Sequence, residues 1–321
     1  MSTHSSTSSS NPAAGRRWLL ALLGLIALFL CGVEALTRAG LPRVSKLERR
    51  IEREHDAAVA ANRDGGGKDV LIVGNSLLGS ALNVSEAKLA LAPEWKLGRF
   101  VVEDTNIVDW QYGLRRLFQE GARPRVVLLM LSPPQTAGNA VRGEYFAYHL
   151  MQAGDVVQVS RELHLHPTNA CSMLFGHFSM FYGVRAELRK WLLTAIVPGF
   201  ETFGSMLTRR GAKSAIDSNA IYASARSRIR TLRDLAAQNQ ATLVWVLPPL
   251  LEAEDGSRGL RAAAEEAGVQ VLVPVDSGAL PPSDYSDGFH LNASGQERFT
   301  ASFIPVVRQH LQNLSQTQPK Q

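Results

Sequence analysis

Five short, β-rich apolar runs govern what this chain can fold into: "DVLIVG" (69–74), "GRFVVEDT" (98–105), "PRVVLLMLS" (124–132), "ATLVWVLPP" (241–249) and "VQVLVPV" (269–275). None alternates apolar with polar residues, so each reads as a strand covered on both faces, the mark of a parallel sheet between two helical layers. Amphipathic stretches such as "WQYGLRRLFQEG" (110–121), "ARSRIRTLRDLAAQNQ" (225–240) and "RGLRAAAEEAG" (258–268) separate most of them. Strand and helix in alternation imply βαβ units. The expectation is a three-layer α/β/α sandwich with a mostly parallel sheet over residues 68–315. Sites in such sheets lie beyond the carboxyl ends of the strands, which directs attention to "GNS" at 74–76, "SPPQ" at 132–135 and "PPLL" at 248–251.

The N-terminal region obeys a different rule. After a Ser/Thr-rich start come Arg16, Arg17 and "WLLALLGLIALFLCGVEAL", 19 residues broken only by Glu34. About 20 apolar residues span a bilayer, whereas a cleavable signal core is shorter. Residues 1–17 are therefore read as a disordered N-terminus and 18–37 as a single-pass membrane anchor. Residues 38–67, charged and ending in "DGGGK", read as a stalk and linker, and 316–321 as a tail. The strand pattern lapses between about 136 and 219, a stretch holding Tyr145, Tyr148, His149, Phe175, Phe178 and Trp191. It reads as a helical insertion that caps the sheet. Its histidines lack ligand spacing, and His164-x-His166 alone does not make a metal site. A net charge of +5 is spread among acids without an aromatic-interleaved basic stripe, which excludes the usual nucleic-acid interfaces. The only two cysteines, Cys31 and Cys171, cannot build a disulfide framework.

Gly74-Asn75-Ser76 breaks the first strand with residues that suit a helix cap and a nucleophile alike. The second half of the question lies in "DYSDGFHLNASGQERF" (284–299). Asp287 precedes His290 by three residues, close enough for a carboxylate to hold imidazole Nδ1–H and leave Nε2 to take a proton from a hydroxyl. Ser76 is the candidate source of that hydroxyl.

These two blocks resemble the SGNH hydrolase superfamily, also called GDSL esterases. In that family a Gly-Asp-Ser type block follows the first strand, and Asp-x-x-His lies in the last block, followed by Leu, Asn and Gly as in "DGFHLNASG". Asn75 stands here where the family usually has Asp. The resemblance implies a Ser76, Asp287, His290 triad, no cofactor and no metal. It also implies oxyanion donors from the loop after the second strand, here Thr105 or Asn106, and from a third block, where "LSPPQTAGN" replaces the usual Gly-x-Asn-Asp and leaves Gln135 or Asn139 to supply an amide. Together with the anchor it implies a bacterial envelope enzyme of the inner membrane, its catalytic domain periplasmic. Such an enzyme would be an esterase or O-acyltransferase, its partner an acylated, chiefly acetylated, glycan or another ester, alongside polysaccharide-assembly proteins. The departures in the third block keep open a non-catalytic glycan-binding or scaffold module, and the anchor keeps open a membrane-surface lipid esterase.

Overall fold

The computed structural model of the chain describes residues 12–61, 68–138, 141, 143–197 and 217–317. Residues 1–11, nearly all of "DGGGK", Asn139, the end of the insertion and the last four residues of the tail lie outside the described residues. Five strands form one sheet: β1 (Asp69–Gly74), β2 (Lys96–Val101), β3 (Val126–Met130), β4 (Thr242–Val246) and β5 (Gln270–Leu272). Their order is β2-β1-β3-β4-β5 and every pairing is parallel. The α/β expectation therefore holds, and each of the five apolar runs contributes a strand.

Side-chain alternation explains why the interiors of the central strands β1, β3 and β4 lack polar positions. Val70 and Ile72 of β1 enter one core with Val126, Leu128, Val244 and Val246, while Leu71 and Val73 enter the other with Val127, Leu129, Leu243 and Trp245. Both faces are covered, so either parity of the strand must be apolar. The chain leaves β1 for β2 on one side and returns to place β3 on the other. The topological switch point, where diverging connections leave a crevice, thus lies at the carboxyl ends of β1 and β3.

Two helices precede the sheet, α1 (Pro12–Val44) and α2 (Lys46–Ala61). Within α1, residues 15–43 are long and apolar enough to cross a membrane, and the apolar part of that helix is not buried against the domain. The stalk reading of 38–67 is corrected by α2. Leu47, Ile51, Ala58 and Val59 recur at helical spacing, and the last three are buried in the core beside β2. Several of the charges on α2 are engaged rather than solvated. Arg99 Nε of β2 donates to Glu54 at 3.0 Å, Arg50 pairs with Glu103, and His55 Nε2 lies 2.7 Å from Glu120. Glu48 is fully buried, accepting the Tyr145 hydroxyl at 3.0 Å and lying 3.1 Å from His149 Nε2.

After β1 come α3 (Ser76–Ala81) and α4 (Val84–Leu91), and α5 (Ile107–Gln119) connects β2 to β3. The insertion is helical where described, with helices Glu144–Leu150, Ala153–Glu162, Pro167–Phe178, Met180–Gly183 and Arg185–Ile196. Its position differs from the expected cap over the sheet. Among the described residues it packs on α5 and on the end of α1, because Phe146, Leu150, Met151, Val156 and Val159 continue the core on the α5 side. His149 pairs with Glu48, His177 Nδ1 lies 3.0 Å from the Ala147 carbonyl and His166 caps the helix Pro167–Phe178.

Candidate active site

Ser76 occupies the first position of α3, two residues beyond the end of β1. Two local features put it there. Gly74 has no room for a side chain, since a Cβ would sit 2.5 Å from the Met130 carbonyl oxygen of β3. Asn75, wholly buried, is the helix cap: its Oδ1 accepts the Leu77 N–H at 3.0 Å while its Nδ2 donates to the Thr105 carbonyl at 2.8 Å. One side chain thereby starts the helix and ties the loop after β1 to the loop after β2.

The partner loop is a tight reversal. Tyr285 and Leu291 form an antiparallel bridge, the Ser286 N–H donates to the His290 carbonyl at 2.9 Å, and Gly288 takes the left-handed conformation (φ 77°) that closes the turn. Inside it Asp287 Oδ1 accepts the Phe289 and His290 N–H groups at 2.9 and 2.7 Å. Its other oxygen accepts His290 Nδ1–H at 2.8 Å, and His290 Nε2 stands 2.9 Å from Ser76 Oγ. With Nδ1 protonated by that pairing, Nε2 is the acceptor of the serine O–H.

The helix that follows locks this loop to the fold. Asn292 Oδ1 accepts the Gly295 N–H at 3.2 Å, its amide donates to the Ser283 carbonyl at 2.6 Å, and Gln296 donates to the Ser80 carbonyl at 3.0 Å. Gly295 is required, because a Cβ would approach the Asp284 carbonyl to 2.4 Å. A Cβ at Gly288 would meet Leu251, in the loop after β4, at 3.8 Å.

The site is open to solvent, with the Asp287 side chain 55% exposed and that of His290 31% exposed. Partial burial pushes the Asp287 carboxyl upward, but the N–H groups of His290 and Phe289 and the imidazole outweigh it and hold it below the ordinary carboxylate range. Beside it, burial and the nearby Asp284 and Glu252 push the Tyr285 phenol up to about 12.

The expected oxyanion donors divide. Thr105 is buried, its hydroxyl donating to the Val102 carbonyl at 2.7 Å and accepting Trp110 Nε1–H at 3.0 Å. That side chain is a brace, and only its backbone N–H is available to the role. The Asn106 N–H is committed to Asp109 Oδ2 at 2.7 Å, and its side chain accepts from Val108 at 2.9 Å, the two halves of a capping box for α5. Gln135 folds back so that its Oε1 accepts the Ser132 N–H at 2.9 Å, which leaves its amide Nε2 as the donor of that side chain. The role of Asn75 is legible in part. An Asn immediately before a Ser at a strand's end is a capping signal, but its second bond, to Thr105, has no sequence mark.

Fold and site together define a doubly wound α/β protein with a Ser-His-Asp hydrogen-bonded chain at the topological switch point. No protein-family model and no curated protein matches the chain. Among solved structures it is similar to LAE5, an alpha/beta hydrolase enzyme from the metagenome of Lake Arreo, Spain, with 13% identity and a TM-score of 0.37. It is also similar to Axe2, an acetylxylan esterase from Geobacillus stearothermophilus, with 11% identity and a TM-score of 0.38. Each comparison covers 75% of this chain and 94% of the other.

Proposed function

We propose that the chain is a membrane-anchored serine esterase or O-acyltransferase of the SGNH type. The observation that carries this reading is the relay itself: Ser76 Oγ at 2.9 Å from His290 Nε2, and His290 Nδ1 at 2.8 Å from Asp287. In the proposed cycle Ser76 Oγ attacks an ester carbonyl as its proton passes to His290 Nε2. Asp287 keeps the imidazole in the required tautomer and stabilises the imidazolium. The tetrahedral oxyanion takes the Ser76 and Thr105 N–H groups and the Gln135 amide. His290 returns the proton to the departing alcohol, leaving an acyl-serine. Water then gives hydrolysis, or a sugar hydroxyl gives transfer, by the same proton path in reverse.

The solvent-exposed site suits an ester displayed on a polymer better than one that must be engulfed. With the apolar helix α1, this supports acyl groups, acetyl first, on cell-envelope polysaccharide as the substrate class. The domain would then sit on the periplasmic side of the inner membrane, within reach of polysaccharide-assembly partners.

Hydrolysis of p-nitrophenyl acetate by the full-length protein in detergent tests the reading. Ser76→Ala is expected to remove activity to background, and Asp287→Asn to lower kcat by about 10⁴ through the wrong tautomer. Equal rates for wild type and Ser76→Ala would overturn it.

A further inference from the structure

The hydrogen bonds of Glu34 reveal where the domain sits against its anchor. Counting about 20 residues at 1.5 Å each from Trp18, a bilayer's hydrocarbon extends to the turn containing Glu34. A carboxylate there needs partners, and the insertion provides them: the Ser179 hydroxyl at 2.7 Å and the N–H groups of Met180 and Phe181 at 2.8 and 3.1 Å. Arg38, one turn on, donates to the same carboxylate and to the Phe178 carbonyl. The insertion is thus bonded to α1 at the depth where the helix leaves the hydrocarbon.

The side chains on that part of the insertion are apolar and uncovered. Phe175 and Phe178 are 65% and 63% exposed, and Phe181 is 38% exposed. The next helix, Arg185–Ile196, buries no residue fully and exposes Trp191, Leu192 and Ile196 next to Arg189 and Lys190. Aromatic and aliphatic side chains beside basic ones are the composition of a segment lying in the boundary between acyl chains and anionic headgroups. In water such a patch would be a liability; adjoining a membrane span, it adjoins the solvent that suits it.

We infer that the insertion, through Phe175, Phe178, Phe181 and the face around Trp191, is seated in the bilayer interface, so that the domain lies on the membrane rather than standing off it. The occupant is phospholipid, with an anionic fraction meeting Arg189 and Lys190. This goes beyond the esterase reading, which requires no contact between domain and lipid.

The test uses the full chain in vesicles of phosphatidylcholine and phosphatidylglycerol, with Cys31→Ala and Cys171→Ala removing the native thiols. Single cysteines carrying an environment-sensitive fluorophore are placed by Phe178→Cys, by Ile26→Cys within the apolar helix, and by Glu94→Cys at the amino end of β2. Spin-labelled lipids quench them at known depths. The expected result is deep quenching at 26, none at 94, and at 178 a blue-shifted emission that loses most of its intensity to a quencher near the headgroups. A label at 178 that behaves like the one at 94 overturns the inference. So does one that is blue-shifted but unquenched, which would mean cover by protein, a second copy included. Absence of quenching at 26 removes the membrane span and the inference with it.

Discussion

The serine, histidine and aspartate carry the proposed chemistry, but the residues that decide whether they meet are elsewhere. Gly74 and Gly295 permit two close backbone approaches, and Asn75 joins two loops, each with hardly any surface of its own. Glu48 does comparable work where α2 meets the insertion. It is buried with Tyr145 and His149 as its partners, and removing it leaves buried polar groups unsatisfied, which costs about 1–3 kcal/mol each. Glu48→Ala is expected to lower unfolding free energy by about 3 kcal/mol in urea titrations. Glu52→Ala, an exposed position on the same helix, should change it by less than about 0.5 kcal/mol. Nothing in "KLERRIEREHD" distinguishes these two glutamates by composition; helical phase, with Leu47 and Ile51 on the inner side, is the available signal, and the charge of the segment obscured it.

At the level of elements, α2 is held to α5 by a polar clasp. Glu120 caps the end of α5, and burial, which alone would raise its carboxyl, is outweighed by hydrogen bonds from His55 and Arg116 that bring it down to about 2 from an ordinary 4.5. A carboxyl depressed in the folded state contributes stability that is complete above its unfolded value and is lost as pH falls through its folded value. The contribution should therefore be full at pH 7 and should drain away between about 4.5 and 2. Thermal melts of wild type and Glu120→Gln are expected to differ at pH 7 and to converge as pH approaches 2. A difference independent of pH would show that the charge is not what the clasp uses. The strands, by contrast, were legible one by one. Burial on both faces leaves a local imprint, an uninterrupted apolar run, whereas the clasp leaves none, since His55 and Glu120 are joined only after the intervening β1-α-β2-α5 unit has folded.

For the whole molecule, the domain begins earlier in the chain than charge alone suggested, at α2 rather than at residue 68. Ile51, Ala58 and Val59 belong to the domain's core, so a chain lacking residues 1–37 should keep a single cooperative melt in mild detergent. A chain lacking residues 1–61 should lose it and aggregate, since the stability of a typical domain, about 5–15 kcal/mol, is within reach of several lost core side chains plus the Glu48 cluster. Circular dichroism melts of the two truncations separate a detachable stalk from an integral helix. Sequence by itself determined the elements: where strands and helices run, which stretch is apolar enough to span a bilayer, and which serine and which Asp-x-x-His block could form a relay. These follow from periodicity and residue chemistry, which are local. Tertiary structure alone decided that Ser76 and His290, 214 residues apart, stand at hydrogen-bond distance, that Asn106 spends its N–H on α5, and that the insertion rests on α1 rather than over the sheet. Each depends on which surfaces meet once both faces of the sheet are covered, and no single stretch of chain encodes that meeting.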